Sequence, residues 1–498
     1  MTASITTATR DIRRVTITKK TVALSALALL VAAQVSLASS SVRRQFPERL
    51  NWQLHEPVDQ MQRWVRNNQL SHPLFTWFFT PISDALKWAL NGLSNSLIGL
   101  PWFTIPLVAV ALLVWRGRWK TGIVVGMASC YPGVVGLWPQ TMQTISLVVV
   151  SVVISLAIGI PLGVASALSP LANRILRPLL DAMQTIPSTV YLIPATLFFG
   201  IGPVPAAVAT VVFALPPAVR LTALGISQVP PSTVEAGEMF GSTRRQLLAK
   251  VQLPQALPSI AAGVNQTIMM ALGIVVIAAL VGSGGLGQEV LETLQIRAAG
   301  RGMVVGFAIV CVAVVLDRVS GAFVTQRRRQ ERIDPRVVAS AVGVLVAAIV
   351  VGRVAGWNTF PVSWRSSFAD SLDTGIRWIR DHGRWITRPV NDFIVRDVLI
   401  RARDFLTNTL AWPVLIGASA LLGFVARGWK LALGIALGLF AVGLTGMWTL
   451  SIETLVQVVV ATTISVRSHC RSASASADGR GRRPSSLLCS TRCRRSPR

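Results

Sequence analysis

Apolar runs about as long as a bilayer is thick recur along this chain, from Thr21 to Ala38 and then approximately from Leu100 to Trp115, Trp119 to Leu137, Met142 to Ala167, Leu179 to Phe199, Val204 to Leu224, Ala256 to Val281 and Met303 to Phe323. In lipid a backbone has no water to bond, so a run of this kind must close its own hydrogen bonds as a helix. The expected fold is therefore all-α, a polytopic transmembrane helical bundle. Composition agrees: 52% of the 498 residues are hydrophobic and only 14% are charged. The formal charge of +27 does not point to nucleic acid, because Lys and Arg stand in short clusters between the apolar runs, as in loops that obey the positive-inside bias.

Alternating the runs across a membrane from a cytoplasmic N-terminus puts Arg116 to Lys120, Arg174 with Arg177, Arg244 to Lys250 and Arg327 to Arg329 all on the cytoplasmic side. The first run follows Arg13, Arg14, Lys19 and Lys20 and could be a signal peptide, although its length suits an uncleaved first helix. Residues 44–99 mix Trp, charges and apolar positions; amphipathic helices on the outer surface or interface are expected there, with room for one more crossing. Pro187, Pro194, Pro216 and Pro217 fall inside apparent helices, which should be kinked or broken.

Enzymatic chemistry finds little to work with. His55, His72, His382 and His469 are neither paired nor in HExxH spacing, and no nucleophile motif is present. Cys130 and Cys311 lie in apolar runs while Cys470, Cys489 and Cys493 crowd the C-terminal end, with no CxxC or zinc spacing. No GxxxxGK[ST] phosphate loop occurs, so any ATP and Mg used would sit on another chain. Gly282 to Gly287 reads GSGGLG and matches GxGxxG, but it follows a membrane run rather than a strand, and a tight extracytoplasmic turn explains it better. An ion-coupled secondary transporter would want intramembrane carboxylates as relays, and the spans hold very few.

Sliding the sequence on itself reveals a repeat. LPWF…RGRWK…GLWPQTMQTISLVVVSVVIS at 100–155 matches LAWP…ARGWK…GMWTLSIETLVQVVVATTIS at 410–465 without a gap, so that Trp102, Trp119, Lys120, Trp138, Thr144 and Ser155 recur as Trp412, Trp429, Lys430, Trp448, Thr454 and Ser465. An ungapped register that keeps Trp, Lys and Thr positions reads as tandem duplication. The expected organisation is a cytoplasmic N-terminal segment at 1–20, a complete membrane domain at 21–325 with its core at about 138–325, a basic cytoplasmic connector at 326–336, a partial second copy at 337–466 and a Ser/Arg-rich tail at 467–498. The second copy breaks off in mid-helix at Val466, which reads as a frameshift or truncation in the gene; a disordered basic tail touching anionic lipid is the alternative.

Residues 235–254, EAGEMFGSTRRQLLAKVQLP, interrupt the apolar text with a polar, Arg-bearing loop. Pro230 and Pro231 stop the preceding run, and Ser232 with Glu235 has capping-box spacing. Gly241 suits a left-handed cap, Ser242 can cap a second short helix bearing Leu247, Leu248 and Val251, and Pro254 should end it. Such apolar positions in a basic cytoplasmic loop want a protein groove.

Glu235-Ala236-Gly237, three positions, Gly241, nine positions, then Val251-Gln252-Leu253-Pro254 resembles the EAA motif of ABC importer permeases, with Gly237 replacing the second Ala and Val251 replacing Ile. TIPSTVYLIPATLFFGIG, FALPPAVRLTALGISQVP, KVQLPQALPSIAAGVNQTIMMAL and VVIAALVGSGGLGQ further resemble the glycine betaine/proline betaine (osmoprotectant) branch, over roughly residues 20–325. The resemblance implies a type I ABC importer permease fold and alternating access. It also implies cytoplasmic ABC ATPase subunits carrying ATP and Mg, an extracytoplasmic solute-binding protein and a second permease half as partners, and a multi-pass location in the cell membrane. It assigns ATPase coupling to Glu235, Ala236, Gly237, Gly241, Val251, Leu253 and Pro254. Choline, carnitine or an amino acid are alternative solutes. Asn265, Gln266 and Thr267 in the next apolar run could line the solute path or bond between helices. Asp317 with Arg318 reads as an interfacial ion pair, and Asp181 as a surface charge at the start of a helix.

Overall fold

A computed structural model of the chain describes residues 28–36, 46–50, 52, 55–324, 343, 347–357, 359–365 and 369–478; the basic connector at 326–336, the N-terminal segment at 1–20 and residues 479–498 lie outside that set. Among the described residues all regular structure is helical, and five helices are long and apolar enough to cross a membrane. The chain divides into two compact units, one made of Gln62–Asp381 and the other of Met1–Met61 with His382–Arg498.

In the larger unit the elements follow in order: α1 Thr80–Ile98, α2 Thr104–Trp115, α3 Trp119–Val134, α4 Trp138–Leu168, α5 Pro170–Thr185, α6 Leu192–Phe199, α7 Pro203–Ser227, α8 Pro231–Met239, α9 Arg244–Leu247, α10 Leu253–Ala278, α11 Gly285–Gln295 and α12 Ala299–Val324. Helices α4, α7, α10 and α12 meet the length and hydropathy needed to span. Helices α2 and α3 do not: 12 and 16 residues rise about 18 and 24 Å, short of a hydrocarbon core of about 30 Å. The run expected from Leu179 to Phe199 is not one helix either. Pro187 separates α5 from α6, with Ile186 already extended as residues before proline tend to be. By contrast α7 carries Pro216 and Pro217 without interruption.

The stretch expected to lie on the surface contributes a core element. Leu90 of α1 is buried with Leu147 of α4, Ala206 of α7 and Ala278 of α10, and its carbonyl accepts the buried Ser146 hydroxyl at 2.8 Å. The charges that hid this helix, Asp84 and Lys87, pair with each other on its exposed side.

At the centre, α7 lies between α4 and α10 at glycine contacts. A Cβ on Gly159 would come within 2.6 Å of Ala218 Cβ, and one on Gly163 within 2.6 Å of Thr222 Cβ. On the other side of α7, Gly225 faces Ser259 and Ala256, and Gly263 of α10 faces Leu221 and the Pro217 carbonyl. Helices in lipid gain little from hydrophobic burial, so close backbone approach at small residues is what holds them.

The smaller unit repeats part of this order. Here α13 Trp412–Arg427, α14 Trp429–Leu444 and α15 Trp448–Asp478 follow helical residues 384–409. Helices α14 and α15 begin 310 positions after α3 and α4, and the left-handed glycine before the long helix is kept, Gly136 at φ 78° and Gly446 at φ 75°. Helix α15 continues past Val466 through twelve polar-rich residues of the expected tail, to Asp478.

A bulky residue at Gly163 should separate α4 from α7. Gly163→Val is expected to cost about 1–3 kcal/mol of overpacking and to lower the melting temperature in detergent, while Gly306→Val on α12, where a Cβ meets nothing, changes it little.

Candidate functional site

The loop between α7 and α10 folds as a helical hairpin. Helix α8 starts at Pro231 behind an extended Pro230 and makes no side-chain cap, so the expected Ser232–Glu235 capping box is absent; with proline opening the helix, Ser232 falls inside the first turn and the cap position is held by Pro230, which has no hydroxyl to offer. Glu235 and Ala236 are exposed instead. At its other end α8 closes on Gly241 at φ 74°, with the Gly241 amide donating to the Glu238 carbonyl at 2.8 Å and the Ser242 amide donating to the Gly237 carbonyl at 3.2 Å. This is the two-bond Schellman closure, and it needs the left-handed glycine that the sequence supplies.

The second arm is capped one residue later than expected. Thr243 rather than Ser242 is the N-cap: its hydroxyl accepts from the Gln246 amide at 3.3 Å, and the Gln246 side chain accepts from the Thr243 amide at 2.9 Å. A capping box needs Glu or Gln three positions on, and of Ser242 and Thr243 only Thr243 has one. Nor does Pro254 end this arm. Residues 244–281 form one continuous helix, because Leu248–Gln252 takes π-helical register and the Leu253 amide donates to the Leu248 carbonyl five residues back. The register shift accommodates a proline that cannot donate in the first turn of α10.

Leu247 joins the two arms. It is buried, and a Cβ on Gly237 would lie 2.6 Å from its Cδ1. The departure from the second Ala of the motif is thus matched by a leucine that occupies the space. Leu247 was expected to face a partner; the apolar residues that do face outward are Met239 and Phe240 at the hairpin tip, 89% and 91% exposed. Their signal in the sequence was an apolar pair directly before the turn glycine. Val251, Leu253 and Pro254 are half-buried where the hairpin runs into α10.

The three polar residues of α10 separate. Asn265 donates to Asp317 at 3.3 Å and accepts from Ser320 at 2.8 Å, tying α10 to α12, and Asp317 also pairs with Arg318 at 3.7 Å. Thr267 is fully buried and Gln266 exposed. Asp181 does not begin a helix; it lies late in α5 and pairs with Arg220 of α7. Arg220 also lines a cleft of about 330 Å³ with Ser166, Asn173 and Arg177. At the far end of α10 the GSGGLG segment is a turn, with Gly282, Gly284 and Gly285 at positive φ. The Gly285 and Leu286 amides that open α11 donate to Gln143 Oε1 at 2.9 Å and Thr144 Oγ1 at 2.8 Å of α4.

Residues 159–329 match the family model described as binding-protein-dependent transport system inner membrane component. The chain is 43% identical over 275 residues to the glycine betaine/proline betaine transport system permease protein ProW of Escherichia coli, covering 54% of this chain and 76% of that one. It is 41% identical over 267 residues to the glycine betaine transport system permease protein OpuAB of Bacillus subtilis, covering 54% of this chain and 93% of that one. A third relative, the trimethylamine N-oxide transport system permease protein TmoV of Ruegeria pomeroyi, is 34% identical over 412 residues, 77% of this chain and 61% of its own length.

The two cap assignments can be separated by amide exchange. Thr243→Ala should cost the hairpin about 0.5–2 kcal/mol and speed exchange across 244–248, whereas Ser232→Ala leaves exchange across 232–239 unchanged.

Proposed function

The chain belongs to the family of binding-protein-dependent inner membrane permeases, and on that premise we propose that it is the transmembrane subunit of an ATP-driven importer for glycine betaine, proline betaine and chemically related osmoprotectants. It is a transport subunit and not an enzyme; the ATP and Mg belong to cytoplasmic ABC ATPase subunits, and solute is delivered by an extracytoplasmic binding protein. The N-terminus is cytoplasmic in this reading, which puts the 231–252 hairpin on the same side as the ATPase.

The observation that carries the reading is mechanical. The hairpin presents Met239 and Phe240 at its tip, its arms are joined through Leu247, and its second arm is continuous with α10. Its first arm leaves α7 only three residues after Ser227, and α7 and α10 are in close contact at Gly225 and Gly263. A partner that grips the exposed pair and closes therefore moves α7 and α10 together as one body, which is what a coupling device needs in order to shift a path between two states. The exposed Asp181–Arg220 pair and the Asn265–Asp317–Ser320 contacts tie that body to α5 and α12. Glu235, exposed on α8, is left available to the ATPase rather than to a cap.

Organisation follows the same reading. Residues 21–325 form one permease half and residues from 337 a partial second copy; the similarity to TmoV extends over more of the chain than residues 21–325 make up. The second complete half needed for a path is a further copy of this chain, giving a homodimer.

Uptake of labelled glycine betaine at high osmolarity tests the function, in transporter-null cells coexpressing the cognate ATPase and binding protein. Phe240→Asp, which leaves every intrachain contact described above in place, should cut uptake at least ten-fold and abolish copurification of the ATPase while membrane levels are kept. Uptake that persists without the ATPase would refute the reading.

A further inference from the structure

Two Phe-Pro steps occur where the chain first emerges from an apolar run, Phe46-Pro47 and Phe360-Pro361, and each stands at nearly the same distance ahead of the long helix of its own repeat. Each ring sits in an aromatic cup of the same construction. The Phe360 ring lies 4.9 Å from Trp102 and 6.4 Å from Trp138, over Gly133, where a Cβ would overlap it. The Phe46 ring lies 4.9 Å from Trp412 and 5.8 Å from Trp448, over Gly443, where a Cβ would likewise overlap it. Trp102, Gly133 and Trp138 stand 310 positions before Trp412, Gly443 and Trp448, so the two cups are the same site in the two repeats. Yet the occupants are crossed: the Phe of the first repeat fills the cup of the second, and the Phe of the second fills the cup of the first.

The flanking contacts cross in the same sense. Gln34, just ahead of Phe46, donates to the Thr409 carbonyl at 2.6 Å, and Arg353, just ahead of Phe360, donates to the Gly99 carbonyl at 3.2 Å; Gly99 and Thr409 are again 310 positions apart. Backbone bonds complete both seats, from the Trp52 amide to the Leu444 carbonyl at 3.0 Å and from the Trp102 amide to the Trp357 carbonyl at 3.2 Å. The division into compact units records the same exchange, since residues up to Met61 fall with His382–Arg498 and residues 347–365 fall within Gln62–Asp381.

We propose that the Trp102–Gly133–Trp138 cup and its counterpart at Trp412–Gly443–Trp448 are docking sites for a Phe-Pro leader segment, and that the two repeats of this chain interlock by exchanging leaders. Glycine at the floor of each cup is what admits the ring, and the proline after each Phe holds its backbone extended so that the ring can be presented. The cups are equivalent, so nothing local forbids a leader from seating on its own repeat; the exchange is selected by the chain as a whole, as in domain swapping. The second copy then has a role without being a complete permease half: its leader closes the first repeat's aromatic cup. This inference rests on the tandem reading above and is independent of the solute.

Cross-linking tests it on the full chain in cell membranes, with native cysteines replaced and a protease site inserted in the connector at 326–336. After cleavage, Trp52→Cys with Leu444→Cys, and Arg353→Cys with Gly99→Cys, should hold the two halves together through a short bis-maleimide. Trp52→Cys with Val134→Cys, and Arg353→Cys with Thr409→Cys, which probe the uncrossed seats, should not link. Gly443→Leu should abolish the first link while leaving the Arg353–Gly99 pair intact. Linkage of the uncrossed pairs, absence of linkage in all four although the chains are inserted, or linkage only between coexpressed chains of different length would each overturn the proposal. Loss of betaine uptake with the crossed links intact would refute the solute reading alone.

Discussion

Everything in the larger unit depends on how closely α4, α7 and α10 approach. Hydrocarbon offers no hydrophobic reward for bringing helices together, so the glycines that let Ala218, Thr222, Ser259 and Leu221 come into direct contact set both the spacing and the rigidity of the bundle. Two features inherit that rigidity. Through Gly225 and Gly263, α7 and α10 behave as one lever, and the hairpin between them cannot bend without bending both. Through Gln143 and Thr144, α4 fixes the turn at the opposite end of α10. This pair of helices is therefore held at one end by amide bonds to a neighbouring helix and exposes Met239 and Phe240 at the other.

Period and composition were enough to read the all-helical membrane class and the central helices, because apolar length is a direct consequence of bilayer thickness. They misjudged elements whose burial depends on neighbours. Asp84 and Lys87 give α1 an amphipathic sequence, and its core face is set by Leu90 packing against α4 and α7, which no local pattern records. The run from Leu179 to Phe199 looked continuous because hydropathy does not register the loss of a backbone donor at Pro187.

The hairpin shows the same division at finer scale. Gly241 was legible, since only a residue without a Cβ takes φ near 74° at no steric cost. The caps were not, because Ser232, Ser242 and Thr243 offer the same hydroxyl chemistry; Ser232 falls inside a helix that Pro231 opens, and of the other two only Thr243 has Gln three positions on. The fate of Pro254 was misread for a related reason: proline ends a helix that keeps α register, but a π-helical turn supplies a carbonyl partner from five residues back, so the arm passes unbroken into α10. That local accommodation is what makes the hairpin a continuation of a membrane helix rather than a loop attached to it.

The repeat sharpens what each part of the fold requires. Thr144 of α4 and its counterpart Thr454 of α15 both donate to the carbonyl four residues back, Gln140 and Leu450 at 2.9 Å each, but Thr144 is buried and also accepts the Leu286 amide, while Thr454 is exposed. Ser155 of α4 donates to the Ser151 carbonyl of its own helix at 2.8 Å and also to the Val211 carbonyl of α7 at 3.2 Å, and Thr462 and Thr463 near the counterpart position donate to carbonyls of α15. The aromatic cup is the exception, for it is equally well made in both repeats and equally filled. The back-bond to the helix's own carbonyl is thus common to both repeats, and what the first repeat adds is a second bond across helices, at Thr144 to α11 and at Ser155 to α7. The aromatic cup is therefore common to both repeats, and the cross-helix bonds are those that α7 and α11 supply in the first.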